Sequence, residues 1–599
     1  MLRTWPLKRS PSTDQEASLK KGLIEVALGE RPAQQVFRGG RVLNVYTGEI
    51  IEETVALFQD RIAYVGPSEK TIGGKTKVWE AQGRVLVPGY MDPHCHPDLY
   101  CNPASFSDTV VQTGTTAVFA DMHDLSNALG LAGVLQVLKD IPRYPLTYYL
   151  GVPSSAPPFP QFEGGENFSL ADLRRLLKLP EALGLSEVTA FVRILQKDPR
   201  MLKLLISARR LGKTAEGHTI GVNHEKLNAL IGAGLTSCHE SLTAEDVLKR
   251  LRLGLVVMLR GGSIRNDLPE LCRAVRQQSS YDTSRIMLTP DSLFPEEMAR
   301  SGYLDHLLQQ VLDLGVEPVK AYQMVTLNPA RYFGLEQEQG AIAPGRRADI
   351  LLLDDLKDPR PVGVMAKGKW VRREGKRIAA PAPPFPTGTY DHPFDLPPLE
   401  PDFFHFQVPH QDPVPVIKID DRTVTRRVDR KVQDRTGTVQ ANPLEDLAKV
   451  ALIQRQGKQA ALGLATGFGA RLGAISSTMA HETHNLLVLG FDDRDMARAV
   501  NEVVKMGGGL AIVNRGKVLG RLALPVGGLM SDKPVPALAR EMAKFVQVLR
   551  ELGCTLEDPI LTLSFLSFTS LIELRITLSG IYEVKTGKIL YNAIRSLLD

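Results

Sequence analysis

Cysteine is scarce in this sequence of 599 residues, which contains only Cys95, Cys101, Cys238, Cys272 and Cys554. Cysteines so few, odd in number and widely spaced do not suit a disulfide framework, and they favour free thiols in a reducing compartment. The sequence also lacks a CxxC pair, a PCxxC segment and an HExxH helix. These absences exclude the common thiolate zinc sites, the zinc site of the cytidine deaminase type and the zincins.

Long apolar runs and concentrated charge are also lacking. The sequence has no run of about 18 uncharged apolar residues, so it predicts no transmembrane helix. The segment MLRTWPLKRSPSTDQEASLKK carries basic residues but not the apolar core of a signal peptide. The formal net charge is only +5, with both signs interspersed, which leaves no basic footprint for nucleic acid. We therefore expect a cytoplasmic protein with no nucleic-acid and no membrane partner.

Residues 36–375 read as a barrel inserted into a smaller domain. Segments 36–85 and 338–375 contain short β-rich runs separated by glycine, which predicts that together they form one small β-domain, a β-sandwich. Between them, residues 86–337 alternate apolar runs with amphipathic stretches, as a parallel α/β fold requires. The candidate strands of this α/β region are VLVPGYMDPHCH, TTAVFADMHD, LTYYLGVPSS, ALGLSE, KTAEGH, LTSCHES, LVVMLRGG and RIMLTPD. Eight such strands predict a TIM (β/α)8 barrel.

The remaining segments flank this unit. Residues 1–35 read as a polar N-terminal extension. Residues 376–412 are rich in proline, which opposes regular helices and central strands, so we expect a linker or a wrapping arm. Residues 413–599 again alternate apolar runs with helix-like segments, which predicts a separate C-terminal α/β or α+β domain.

Ligand-capable side chains recur where the candidate barrel strands end. His94 and His96 are two residues apart, so on a strand both imidazoles project from one face and can hold one metal. Alone, such a pair fits structural histidines equally well. Further polar residues stand at the ends of other strands, where the catalytic groups of a barrel lie; they are Asp121, His123, Glu187, His218, His239, Glu240 and Asp291. Together they predict a metal site at the barrel mouth.

The chemistry of this residue set is hydrolytic. Histidine and carboxylate ligands without cysteine suit manganese, iron or zinc. An ion of this kind lowers the pKa of its bound water, in the best cases to about 7, and so supplies hydroxide at neutral pH. A second cluster, AHETH with His481, Glu482 and His484, has the wrong spacing for HExxH. It is compatible either with a polar contact between domains or with a contribution to the active site.

Several motifs resemble a known family. The closing segment NPARYFGLEQEQGAIAPGRRADILLLD, the HCH pair, the single histidines on the fifth and sixth strands and the aspartate on the eighth resemble the amidohydrolase superfamily. Within it, the chain is similar to the adenine deaminases through VPGYMDPHCHPD, FADMHDLSNALG, GVPSSAPP, AEGHTIGVNHEKLNALIGAGLTSCHES and the C-terminal region with STMAHETHNLLVLGF. The similarity covers nearly all of the chain beyond residue 30.

The resemblance implies roles for the candidate residues. His94 and His96 would bind the more buried metal, Glu187 would bridge two metals, and His218 and His239 would bind the second. Asp291 would contact metal and shuttle a proton from the attacking water to the departing amine. Two further acids are candidates for purine contacts or for proton transfer, namely Asp98 and Glu240. We also expect substrate contacts from Asp121, His123, His481, Glu482 and His484.

The resemblance further implies the reaction, hydrolytic deamination of adenine to hypoxanthine and ammonia in purine salvage. The cofactor would be one or two divalent ions, Mn²⁺ first, with Fe²⁺ or Zn²⁺ as alternatives. The substrate would be adenine or a related purine, and we expect a homo-oligomer. Two other interpretations stay open, since a fold and a metal site do not fix a substrate. One is hydrolysis of another aminated heterocycle or a cyclic amide, and the other is a catalytically silent relative that binds a purine.

Two segments depart from the family pattern. The first strand continues as HCHPDLY, where the family usually has HIESS, so Asp98 is a shorter acid and the hydroxyls are missing. The eighth strand ends in MLTPDS, where the family usually has a TDD-like pair, so Pro290 replaces one aspartate. Activity then depends on Asp291 being the acid that matters.

Overall fold

The computed structural model describes residues 12–276, 282–390, 394–408, 413–420, 422–431 and 438–597. At its centre lies an eight-stranded parallel sheet. Its strands are Tyr90–Cys95, Thr115–Asp121, Thr147–Val152, Ala182–Val188, Thr214–Gly217, Ser237–Cys238, Val256–Arg260 and Ile286–Thr289. A parallel bridge between Cys95 and Asp291 joins the last strand to the first. The predicted TIM-barrel fold is thereby confirmed.

Helices cover the barrel on its outside. Most barrel-strand residues are buried because helices cover one face and the barrel interior covers the other. The helices of this region are Pro103–Val110, His123–Asp140, Leu170–Leu176, Phe191–Leu195, Pro199–Arg210, His224–Ala233, Ala244–Arg252, Leu268–Arg276, Pro295–Ser301, Leu304–Asp313, Pro318–Met324 and Leu327–Tyr332. Among the described residues, no helix is both long enough and apolar enough to cross a membrane.

A nine-stranded sheet combines segments from before and after the barrel. Val85–Pro88 pairs antiparallel with Ile350–Leu353, so the chain leaves and re-enters this sheet at adjacent positions. The other strands are Gln35–Leu43, Ile50–Phe58, Arg61–Gly66, Lys77–Glu80, Gly363–Ala366, Lys369–Arg373 and Lys376–Arg377. Ahead of them, the helix Thr13–Ala27 begins with a capping box between Ser12 and Gln15.

The C-terminal region contains a second nine-stranded sheet and a smaller three-stranded one. The larger sheet consists of Val414–Ile419, Thr425–Arg430, Leu447–Ile453, Gln459–Thr466, Ala474–Ser477, Leu486–Gly490, Gly509–Asn514, Lys517–Ala523 and Ala593–Ser596. The smaller sheet is Leu574–Thr577, Gly580–Glu583 and Lys588–Tyr591, and the helices are Asp493–Lys505, Val535–Glu551 and Pro559–Ser564. Met530–Ser531 pairs with Tyr100–Cys101 of the barrel, which fixes the two regions against each other.

The proline-rich segment lies against the rest of the molecule. In its described parts, Phe385, Tyr390, Phe404 and Phe406 are buried. It contains the short 3₁₀ turns Thr387–Tyr390 and Pro401–Phe404, since proline opposes longer helices. Of the two expectations for this segment, the buried aromatic residues favour the wrapping arm. Residues 391–393 and 409–412 lie outside the described part.

Candidate active site

The predicted ligand side chains converge at the carboxyl end of the barrel strands. Asp291 Oδ1 lies 3.1 Å from His94 Nε2 and 3.0 Å from His96 Nε2. Glu187 Oε2 lies 2.6 Å from His218 Nδ1 and 3.3 Å from His239 Nε2. His96 Nε2 is also 3.7 Å from Glu187 Oε1, which joins the two groups into one cluster. The polar side chains at the ends of strands that are far apart in sequence therefore lie in one cluster.

Two further carboxylates orient the imidazole rings. Glu216 contacts Nδ1 of His94 at 3.1 Å and Nδ1 of His239 at 3.2 Å. Asp124 contacts Nδ1 of His96 at 3.2 Å. In each contact Nδ1 faces the carboxylate and Nε2 is directed into the cluster. Carboxylates placed in this way fix the tautomer and the ring orientation of metal-binding histidines.

The cluster fits a divalent metal ion. Ligand atoms bonded at about 2.1 Å are separated by about 3.0 Å in octahedral and about 3.4 Å in tetrahedral geometry. Most of the separations around Asp291 and Glu187 are close to these values. His239 Nε2 is buried and has no hydrogen-bond partner among the described residues, and the donor atoms of His94, Glu187 and His239 lie within 4.8 Å of one another. A buried ring nitrogen that faces the Glu187 carboxylate in this way needs either a proton or a metal ion.

A buried arginine ties two of the acids together. Arg260 lies 2.5 Å from Asp291 Oδ2 and also pairs with Glu240. Arg265 lies 2.9 Å from the other oxygen of Glu240. Burial acts to raise both carboxyl pKa values, but Arg260 and neighbouring histidines hold the pKa of Asp291 well below its ordinary value and lower that of Glu240 to about 2. Both acids are therefore ionised.

The loop that carries Asp291 is tightly constrained. Asp291 has a φ of 63°, in the left-handed region that residues other than glycine seldom adopt. Gly262, at the end of the seventh strand, lies directly against this loop. A Cβ atom at position 262 would stand 1.9 Å from the Pro290 carbonyl oxygen and 2.6 Å from that of Ser292. The absence of a side chain at Gly262 thus permits the position of Asp291.

We expect Gly262→Ala to destabilise the barrel by about 1–3 kcal/mol, because the added methyl overlaps backbone atoms that cannot rotate away. Thermal unfolding followed by circular dichroism measures the effect as a lower midpoint. Gly232→Ala is the matched control, since Gly232 is an exposed helical residue and, in the described part of the chain, no atom outside its own helix backbone lies within 4 Å of the position that the new methyl group would take. It should instead stabilise by about 0.5–1 kcal/mol. Equal midpoints for the two variants would contradict the packing argument.

A cavity of about 120 Å³ lies above the cluster. Its polar floor is formed by His96, Glu187, His218, Glu240, Arg260 and Asp291. The C-terminal region contributes a wall to this cavity, which includes Met479, His481, His484, Leu561, Ser564, Phe565, Phe568 and Leu571. The ring of His481 stacks on Phe565 at 5.2 Å between centroids. The C-terminal region therefore closes the site.

Four of the residues expected to act on substrate lie behind this lining, namely Asp98, Asp121, His123 and Glu482. Asp98 accepts a hydrogen bond from Leu125 N at 2.8 Å, so it supports the start of a helix. Asp121 holds His123 Nδ1 at 3.1 Å and the Glu187 backbone nitrogen at 2.9 Å. Glu482 is buried, and burial raises its pKa well above the ordinary value.

Sequence reasoning missed three buried groups. Glu216 precedes His218 by two residues on the fifth strand, so the alternation of strand side chains could have indicated it. Arg260 is the last residue of the seventh strand, in MLRGG. Its position at a carboxyl strand end could have indicated a place in the site. Asp124 directly follows His123, but nothing in the sequence shows that its carboxylate reaches both His96 and the AHETH segment.

Comparisons with known proteins agree with this architecture. Residues 85–371 match the amidohydrolase family, and residues 422–588 match the adenine deaminase C-terminal domain. An adenine deaminase of Moorella thermoacetica is 37% identical over 95% of this chain and 97% of its own length. One from Clostridium botulinum is 35% identical over 94% and 96%, and adenine deaminase 2 of Carboxydothermus hydrogenoformans is 34% identical over 94% and 98%. The chain therefore belongs to the adenine deaminase family.

Proposed function

We propose that this protein hydrolyses adenine to hypoxanthine and ammonia with one or two divalent ions, Mn²⁺ first and Fe²⁺ or Zn²⁺ as alternatives. The observation that carries the proposal is a cavity lined both by aromatic rings of the C-terminal region and by histidine and carboxylate side chains at the ends of barrel strands. A planar heterocycle with an amino group fits between two such surfaces, since its ring faces are apolar and its reacting edge is polar.

The aromatic wall supplies binding energy for the base. Phe565 and Phe568 are perpendicular at 5.4 Å, and His481 contacts both rings. A purine that stacks on such rings gains stabilisation that does not depend on hydrogen bonds. The same rings keep bulk water from the floor, where charges then act in a less polar surrounding.

The floor supplies the hydrolytic chemistry. A divalent ion would be held by six ligand residues, namely His94, His96, Glu187, His218, His239 and Asp291, and it would supply Lewis acidity and a hydrolytic nucleophile at neutral pH. Asp291 is ionised, and its Oδ1 faces the inner nitrogens of His94 and His96. As a carboxylate it accepts a proton from the attacking water and then delivers it to the amine that leaves C6. Arg260 fixes the other oxygen and so orients this transfer.

Glu240 has a different role from Asp291. With a pKa of about 2 and two arginine partners, it cannot donate a proton at neutral pH. It instead positions Arg260 and Arg265, which both line the cavity. Their N–H groups can donate to the ring nitrogens of the purine. Of the two roles considered for Glu240, this arrangement opposes proton transfer, and Glu240 would act on the purine only through the two arginines.

The test is to measure ammonia and hypoxanthine together after mixing adenine with protein loaded with Mn²⁺. We expect both products in equal amounts, and their loss in His96→Ala. His224→Ala, which changes an exposed histidine outside the cavity, should retain full activity. A new carboxylate in place of ammonia would reassign the protein to ring opening. Bound metal without turnover of any aminopurine would make it a binding protein.

We expect Phe565→Ala and Phe568→Ala each to raise KM for adenine by roughly 5- to 150-fold, because stacking contributes about 1–3 kcal/mol per base. Steady-state kinetics of ammonia release measures the effect, and kcat should change less than KM. Phe403→Ala, at a half-buried position away from the cavity, is the matched control and should leave KM unaltered. Unchanged KM in both cavity variants would place the base elsewhere.

A further inference from the structure

The AHETH segment meets the barrel in a second cluster of histidines. Asp124 Oδ1 is surrounded by three imidazole nitrogens. His123 Nε2 lies at 3.4 Å, His481 Nδ1 at 3.3 Å and His484 Nε2 at 2.6 Å. None of these four residues is among the six ligand residues His94, His96, Glu187, His218, His239 and Asp291. The cluster therefore needs its own explanation.

The hydrogen bonding of His123 leaves one of its ring nitrogens without a hydrogen-bond partner in the described part of the chain. Asp121 Oδ1 lies 3.1 Å from His123 Nδ1, so the proton of a neutral ring is held on that nitrogen. The other nitrogen, Nε2, is then a lone pair, buried and without a hydrogen-bond partner in the described part of the chain. It faces Asp124 Oδ1, which is also an electron-pair donor. Two facing electron-pair donors in a buried place are stable only with a proton or a metal ion between them.

The separations match one kind of cation. In tetrahedral coordination with bonds of about 2.1 Å, ligand atoms stand about 3.4 Å apart. The distances from Asp124 Oδ1 to His123 and His481, 3.4 and 3.3 Å, agree with this separation. The 2.6 Å contact of His484 is a hydrogen bond, which a small rotation of the ring would lengthen to the same separation. Three imidazoles and one carboxylate are a donor set that suits zinc.

We propose that His123, Asp124, His481 and His484 form a further divalent metal site, filled by Zn²⁺, that joins the barrel to the C-terminal region. His123 and Asp124 come from the end of the second barrel strand, whereas His481 and His484 come from the C-terminal region. An ion bound by all four would cross-link the two parts of the molecule beside the cavity. The proposal does not depend on which substrate the barrel floor hydrolyses.

Asp124 would connect this ion to the barrel floor. Its Oδ1 is the proposed ligand, while its Oδ2 lies 3.2 Å from His96 Nδ1. One carboxylate thus orients a ligand of the floor and binds the cross-linking ion. Loss of that ion would loosen both the aromatic wall, through His481, and the orientation of His96.

The first test is the metal content of zinc-loaded protein, measured by inductively coupled plasma mass spectrometry. We expect the double variant His481→Gln/His484→Gln to bind one equivalent less than wild type. His94→Gln/His96→Gln should lose metal from the floor but retain the ion bound between Asp124 and the three histidines. His224→Gln/His306→Gln, which changes two histidines outside both clusters, should match wild type. Equal metal content in wild type and the first variant would overturn the proposal.

The second test needs no variant and therefore does not depend on folding of the altered chains. Crystals of cobalt-loaded wild-type protein are measured on both sides of the cobalt absorption edge. We expect an anomalous difference peak between Asp124 and the three histidines, in addition to any peak at the barrel floor. Peaks at the floor alone would show that the cluster is only a hydrogen-bonded contact, and the proposal would be wrong.

Discussion

Asp291→Asn is expected to slow ammonia release from adenine by about 10³-fold, within the range that positioned proton transfer contributes. The amide keeps the shape of the side chain but cannot take a proton from water or return it to the departing amine. Its nitrogen would also face Arg260, which now lies 2.5 Å from the carboxylate. The measurement is kcat at saturating adenine, with metal content determined on the same sample.

The metal analysis separates two causes of lost activity. If Asp291→Asn retains its metal and still fails to turn over, the proton-transfer role is supported. Asp402→Asn is the matched control, because Asp402 has a side chain that is 91% exposed and should behave as wild type. An Asp291→Asn variant with activity within about tenfold of wild type would contradict the role, since general catalysis contributes at least about 10²-fold.

Removal of the floor metal is expected to have an effect of similar size or larger. Without the ion, the pKa of the water stays far above neutral pH, so hydroxide is lacking. Dialysis against a chelator should lower ammonia release by about 10³-fold or more. Stoichiometric Mn²⁺ should restore it, whereas Mg²⁺ should not, because imidazole ligands disfavour a hard cation that prefers oxygen.

The same dialysis should lower the thermal midpoint of unfolding. An ion that binds only the folded protein adds about 4.1 kcal/mol to the free energy of unfolding when its free concentration is about a thousand times its Kd. His96→Ala serves as the control, since its midpoint should respond less to the chelator. Full activity after verified removal of all metal would contradict the proposed hydrolytic mechanism.

Much of the site could be predicted because strand geometry is local. His94 and His96 share a face by the two-residue period, and parallel strands bring their carboxyl ends together. These rules place Glu187, His218, His239 and Asp291 at one barrel mouth without any knowledge of the helices. The fold followed from the same alternation of apolar runs.

The rest of the site depends on tertiary contacts that no local pattern contains. Asp98 lies two residues from His96, yet its side chain turns to a helix start rather than to the cavity. Phe565 and Phe568 look like ordinary core residues in TLSFLSF, and only the approach of the C-terminal region gives them a cavity to line. The packing of complete strands and helices likewise determines which histidines Glu216 and Asp124 contact.

The pairing of Val85–Pro88 with Ile350–Leu353 has a consequence for how the chain acquires its structure. During synthesis the first strand leaves the ribosome long before its partner, and residues 89–349 must be made in between. The barrel can form in that interval, because its strands are all contained within it. Until the partner arrives, the early strand has an open edge that can pair with other chains. Completion of the small sheet must therefore wait until Ile350–Leu353 has been made, when all the barrel strands already exist.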